Sequence, residues 1–139
     1  MNRPDFKVQI AGGRDFDDYS LLWRNLDLLL SNKATTHNIV IVSGGARGAD
    51  YLGEVYAEQR GYEVDLHPAD WGNIQAPNAI VKTNKFNKKY NALAGMDRNI
   101  SMAKACDASV IFWDGVSTGT KNMIDLLNKE GKPCRVFEY

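Results

Sequence analysis

The chain has 139 residues, 44% of them apolar, with 17 basic and 17 acidic side chains and no formal net charge. That size suits one domain spanning 1–139 that buries a core without disulfides or metal, and the ordinary mixture excludes wholesale disorder. Neutrality removes the long-range attraction of a dedicated duplex-DNA binder, so nucleic acid is not expected as a partner.

Cys106 and Cys134 stand far apart with no CxxC or Cys/His spacing, which excludes a disulfide framework and leaves no metal site to expect. No run approaches the roughly 18 apolar residues of a membrane helix, so a soluble, cytoplasmic protein without membrane association is expected.

In chain order, "FKVQIA" (residues 6–11) closed by Gly12 and Gly13 reads as the first strand. Asp17 or Asp18 can cap the next segment, where Leu22, Leu26 and Leu29 repeat as on one helix face. The β-branched run "NIVIVS" (38–43) suits a central strand covered on both faces. After the turn "GGARG", Leu52, Val55 and Tyr56 mark a second helix, with Gly61 at its C-cap. A third strand is read at "YEVDLH" (62–67).

From Trp71 to Gly95 the pattern lapses into five asparagines and the lysines Lys82, Lys85, Lys88 and Lys89. Residues 72–90 are therefore read as an irregular insertion, longer than ordinary connections. Asp97 then reads as the N-cap of a helix carrying Ile100, Ala103 and Lys104. A fourth strand follows at 109–113. The last helix has Thr120, Met123, Ile124 and Leu127 on one face and ends at Gly131, before a fifth strand, "CRVFE". This alternation predicts an α/β fold: a doubly wound, mostly parallel five-stranded sheet with helices on both faces.

Ligands of such folds bind at the carboxyl ends of strands, where the strand order reverses. Three glycine-containing loops fall at such ends: "GGRDF" with Gly12, Gly13 and Arg14; "SGGARGAD" with Ser43, Gly44, Gly45, Arg47, Gly48 and Asp50; and "DGVSTGT" with Gly115, Ser117, Gly119 and Thr120. Glycine admits a ligand close to backbone N–H groups, helix N-termini favour anions, and Arg14 and Arg47 add fork-shaped donors, so phosphate is the natural anion.

The loops match neither GxxxxGK[ST] nor GxGxxG, and no cofactor is implied. Asp50 either caps or ties its loop or reaches a ligand; Asp15 and Asp114 suit ribose hydroxyls, general-base work or turn stabilisation equally. Arg98 and Asn99 open a helix near the same edge. His37 and His67 lack partner spacing, and Trp71 and Trp113 suit either base stacking or core.

"IAGGRDFDDY", "IVSGGARGADYLGEVYAEQRG", "PADW", "GMDRNISM" and "VIFWDGVSTGTKNMI" resemble, in order and over most of the chain, the motifs of the YspA-type, cpYpsA-related group of the SLOG superfamily. The resemblance implies a Rossmann-like fold that binds nucleotides or nucleotide-derived ligands, signalling or ADP-ribose-like molecules included. Its enzymatic relatives, the lonely-guy phosphoribohydrolases, cleave N-glycosidic bonds of nucleoside monophosphates, and the DNA-processing protein A branch binds single-stranded DNA.

By the same resemblance Gly44, Gly45, Gly48 and Asp50 belong to a phosphate-side loop. Gly115, Ser117, Gly119 and Thr120 fall on a loop like PGGxGTxxE, and Arg98 lies near the hydrolases' arginine. Met123 stands where that motif has glutamate, and a thioether cannot perform carboxylate chemistry. The leading expectation is thus binding of a nucleotide-like small molecule by a protein that pairs as a homodimer. N-glycosidic hydrolysis using Asp114, Arg98 or Asp15 is the alternative. Single-stranded nucleic-acid binding through the lysines of 82–89 with Tyr90 or Trp71 is the second, against which neutrality weighs.

Overall fold

The computed structural model describes residues 3–139, so residues 1 and 2 of the expected domain lie outside the described residues. The elements run β1 (Asp5–Gly12), α1 (Tyr19–Leu30), a 3-10 turn at Lys33–Thr35, β2 (Asn38–Ser43), α2 (Ala49–Arg60) and β3 (Glu63–Leu66). They continue with β4 (Val81–Thr83), β5 (Lys89–Asn91), α3 (Ala94–Ala105), β6 (Ala108–Trp113), α4 (Thr118–Lys129) and β7 (Cys134–Glu138). Five strands form one sheet in the order β3-β2-β1-β6-β7, and every pairing in it is parallel.

Alternation along the central strands decides which helix each side chain meets. Val8 and Ile10 of β1 join Leu22, Leu26 and Tyr56 in the core beneath α1 and α2. Ala11 faces the other way, into a second core with Met102, Met123 and Leu127 of α3 and α4. The sheet is thus covered on both faces, as the β-branched runs require. Gln9, fully buried in β1, is satisfied because its Oε1 accepts from Ser109 Oγ at 3.1 Å.

The helices differ from the periodic reading in instructive ways. Asp18 is the cap of α1, its Oδ1 accepting from Leu21 N at 3.0 Å, and Leu30 rather than Leu29 completes the fully buried set. In α2 the buried face is Ala49, Asp50, Gly53, Tyr56 and Ala57, not Leu52 and Val55. The cause is Gly53: a Cβ there would lie 2.9 Å from Ile10, so only glycine lets the helix settle this closely on β1.

Helix α3 begins at Ala94, three residues before the expected cap Asp97. Asn91 sets this start, because its buried side chain accepts from Leu93 N at 3.0 Å and from Ile80 N at 3.2 Å.

The stretch expected to be irregular holds an antiparallel ribbon in which Lys82 pairs with Tyr90. Its asparagines make the turns. Asn84 Oδ1 accepts from Phe86 N at 2.9 Å and Lys88 N at 3.0 Å, while Asn78 and Asn87 adopt positive φ, which asparagine tolerates better than most residues.

Gly48 and Gly61 flank α2, both at positive φ, in very different surroundings. A Cβ at Gly48 would fall 2.2 Å from the Gly13 carbonyl oxygen, whereas one at Gly61 meets nothing within 4 Å. Gly48→Ala is expected to lower unfolding free energy by more than about 2 kcal/mol. Gly61→Ala, bearing only the backbone penalty, should cost about 1 kcal/mol. Urea denaturation of both variants checks the contrast, and equal losses would contradict it.

Candidate functional site

Strand order reverses between β1 and β6: β2 lies on one side of this pair and β7 on the other. A cleft of about 450 Å³ opens there, at the carboxyl ends of the strands. Gly12, Gly13, Arg14 and Asp15 reach it from β1, and Asp114, Ser117, Gly119 and Thr120 from the β6–α4 turn. Arg47 and Asp50 enter from the β2–α2 turn, and Arg98 with Asn99 from α3.

Backbone hydrogen bonds stitch these turns together. Gly13 N donates to Phe112 O at 3.0 Å, and Ala49 N donates to Gly13 O at 3.2 Å. The β1 loop is thereby fixed to β6 on one side and to the start of α2 on the other.

The three carboxylates of the cleft, Asp15, Asp50 and Asp114, all accept hydrogen bonds from the protein. Asp114 Oδ1 accepts from Val116 N at 2.9 Å and Ser117 N at 2.7 Å, and these bonds hold its pKa below the usual carboxylate range. Of the roles open to it, turn stabilisation is the one the geometry displays. Asp15 Oδ1 accepts from Tyr139 OH at 2.7 Å. Burial, followed by this bond, raises the Tyr139 pKa.

Asp50 is different, being only 6% exposed. Its Oδ2 accepts from Ala46 N at 3.3 Å, so it ties the loop from inside the first turn of α2. Burial pushes its pKa up to about 6; the Ala46 bond and the Arg98 charge oppose the shift without cancelling it, and Glu54 reinforces it.

Arg98 completes the turn from across the sheet. Its Nη1 donates to Gly44 O and its Nε to Asn99 Oδ1, the latter at 2.9 Å. A Cβ on Gly44 would lie 2.7 Å from both Arg98 Nη1 and Asp50 Oδ2, so Gly44 is the gap in which this cation and carboxyl flank the chain. Burial lowers the Arg98 pKa, yet a guanidinium stays protonated. By contrast, Arg14 and Arg47 have no hydrogen-bond or ion-pair partner among the described residues.

Some expected residues sit elsewhere. Ser43 is buried behind the cleft, donating to Glu54 Oε2 at 2.9 Å and accepting from Gly45 N at 3.2 Å. Gly44 and Gly45 border a neighbouring cavity. Gly48 packs on Gly13, and Gly115 on the Glu138 side chain. Trp113 Nε1 donates to Ser117 O at 3.0 Å, bracing the turn. His67 closes its strand by contacts with Asp65 Oδ2 at 3.0 Å and Ser101 Oγ at 2.9 Å.

Sequence reasoning missed the apolar part of the lining, formed by Ala11, Ile111, Met102 and Met123. Met123 carried a signal, since it shares the inward face of its helix with Thr120 and Leu127. Met102 carried none beyond α3 itself.

Comparisons with known proteins agree with this architecture. The model of the YspA, cpYpsA-related SLOG family matches residues 6–73. Gene 61 protein of Mycobacterium phage D29 is 32% identical over 137 residues, spanning 94% of this chain and 95% of that protein. The X-ray structure of DNA processing protein A from Streptococcus pneumoniae superposes with a TM-score of 0.60 at 16% identity. That match covers 96% of this chain and 50% of the other, so this chain spans half of that protein.

The expectation that nucleic acid is not a partner is corrected by this fold, which a DNA processing protein shares. The physical error lay in using net charge, a sum, in place of its distribution. Lys82, Lys85, Lys88 and Lys89 are all exposed on the ribbon.

Asp50 supplies a pH test. Its pKa is raised from 3.8 to about 6 in the fold, so between those values the folded chain keeps a proton that the unfolded chain has released. Its contribution to stability is full below pH 3.8 and is lost as pH rises through about 6. Asp50→Asn is expected to exceed the parent by about 1–3 kcal/mol at pH 7.5, with the gap closing at low pH. Urea titrations across pH measure this, and a gap independent of pH would refute the assignment.

Proposed function

This chain belongs to the YspA, cpYpsA-related SLOG family, and from that premise we propose that the cleft between β1 and β6 binds a nucleotide or nucleotide-derived ligand. The observation that carries the reading is the set of unspent anion-binding groups at this edge. Arg14 and Arg47 have no partner among the described residues, and both helices opening on the cleft, α2 and α4, lack a side-chain N-cap hydrogen bond. Helix α1 is capped by Asp18, and α3, whose N-terminus lies away from the cleft, also has no side-chain cap.

Ala49 N is already given to Gly13 O, but the remaining first-turn N–H groups, the helix dipole and the free guanidinium groups together suit a phosphate. The outer oxygens of Asp15 and Asp114 suit ribose hydroxyls, and Met102, Met123 and Ile111 offer an adaptable apolar surface to a base. Arg98 holds the Gly44 turn in place and lends charge.

A panel of nucleoside mono-, di- and triphosphates, read by thermal shift and calorimetry, tests this. At least one should bind, and Arg47→Ala should weaken it by about 10- to 100-fold, the worth of a charge-assisted contact. The absence of any binding, with no nucleotide in the mass spectrum of the purified protein, would overturn the reading.

A second reading, N-glycosidic cleavage of the bound ligand, is favoured by one observation. Asp50 is a cleft carboxyl with its pKa near 6, poised for proton transfer, whereas the glutamate position of the hydrolases is Met123. Free base released from a nucleoside monophosphate, and lost in Asp50→Asn, would support cleavage. Binding without base release would leave the protein a binder.

A further inference from the structure

A second cavity, of about 610 Å³, lies beside the cleft, and Arg14, Arg47 and Arg98 line both. The arginines therefore form a shared wall, with the β1–β6 cleft on one side and Trp71, Leu66 and Pro68 on the other. We infer that the ligand carries two ring systems joined through a phosphate, with the phosphate on the arginine wall, one nucleoside in the cleft and the second base stacked on Trp71. This rests on the reading of the cleft as a nucleotide site.

Three features of Trp71 support its part. It is 39% exposed beside Leu66, itself 50% exposed, so a large apolar surface lies open within a cavity rather than in the core. It is also held in place: Trp71 O accepts from Asn91 N at 2.7 Å, and Tyr90 meets the indole edge-on at a centroid distance of 6.1 Å. Finally, a Cβ on Gly95 would come within 2.6 Å of the indole, so the first turn of α3 has a glycine where the ring rests against it. A rigid, half-open indole stacks any base with little loss of conformational freedom.

The sizes agree with a two-part ligand. Each cavity falls within the range that holds a small ligand, so a mononucleotide in the cleft leaves the Trp71 side empty. Guanidinium groups shared by both sides suit the one element common to both halves, a bridging phosphate or pyrophosphate. Soluble dinucleotides and single-stranded nucleic acid both present this unit.

Calorimetry with AMP, a 3′,5′-linked diadenosine phosphate, NAD and an oligothymidylate of eight nucleotides tests the inference on the full chain, its Trp71→Ala and its Trp71→Phe. At least one two-base probe should bind the parent about 5- to 150-fold more tightly than AMP, the gain expected of one stacked base. Trp71→Ala should erase that gain while leaving AMP affinity unchanged, which also certifies the fold of the variant, and Trp71→Phe should keep most of it.

Preference for the octamer with steep salt dependence would identify a strand as the source, and a dinucleotide that binds as well as the octamer a soluble ligand. Both support the two-cavity site. AMP binding as tightly as every two-base probe, or Trp71→Ala weakening AMP and the two-base probes alike, would overturn the inference and leave the nucleotide reading standing. Failure of every probe to bind would overturn the inference, and the nucleotide reading would then be decided by the wider nucleotide panel and the mass spectrum.

Discussion

Parallel pairing of β1 with β2 on one side and β6 on the other is the constraint from which the site follows. Parallel strands must be joined by crossovers, so the turns that leave their carboxyl ends gather at one edge. At β1 the crossovers part to opposite faces, α1 and α2 beneath one and α3 and α4 beneath the other. No helix can fill the gap between the departing turns, and the cleft is what remains. Close packing then fixes its shape: Gly48 rests on Gly13, and Gly53 on Ile10, leaving the turns little room to drift.

Electrostatics at this edge divide into spent and unspent charge. Asp15 and Asp114 hold their turns, Arg98 is bonded to Gly44 O, and Asp50 is buried against Ala46 N. An aspartate raised toward neutrality by burial is a poor way to gain stability, since an apolar residue would avoid the desolvation cost. Its place is better understood from geometry, because Asp50 and Arg98 bracket Gly44 and so shape the turn between the two cavities. What they leave without a partner among the described residues is cationic, Arg14 and Arg47, the groups on which the proposed anion site rests.

Much of this was legible in the sequence. The β-branched runs located the central strands, and three glycine turns at strand ends located the edge. Single-residue choices were less legible. Gly53 rotates the buried face of α2 in a way hydrophobic period cannot reveal, because the information lies in the partner Ile10. Four of the five asparagines between Trp71 and Gly95 order the chain rather than loosen it: Asn84 and Asn91 bond backbone N–H groups, and Asn78 and Asn87 supply positive φ. Ser43 looked like a ligand hydroxyl, yet its neighbour in space, Glu54, lies a full 11 positions away along the chain.

Met123 is where sequence and structure together change the question. At 3% exposure its side chain forms part of the cleft lining, on the same face as Leu127, which is wholly buried. A carboxylate at such a position would have to be desolvated, and the opposing terms for buried charge seldom favour stability. It would also add negative potential to a cleft that already holds Asp15, Asp50 and Asp114. Methionine removes both costs. On the proposed reading, methionine in place of that carboxylate favours retention of an anion, and Asp50 is the cleft carboxyl whose pKa burial raises.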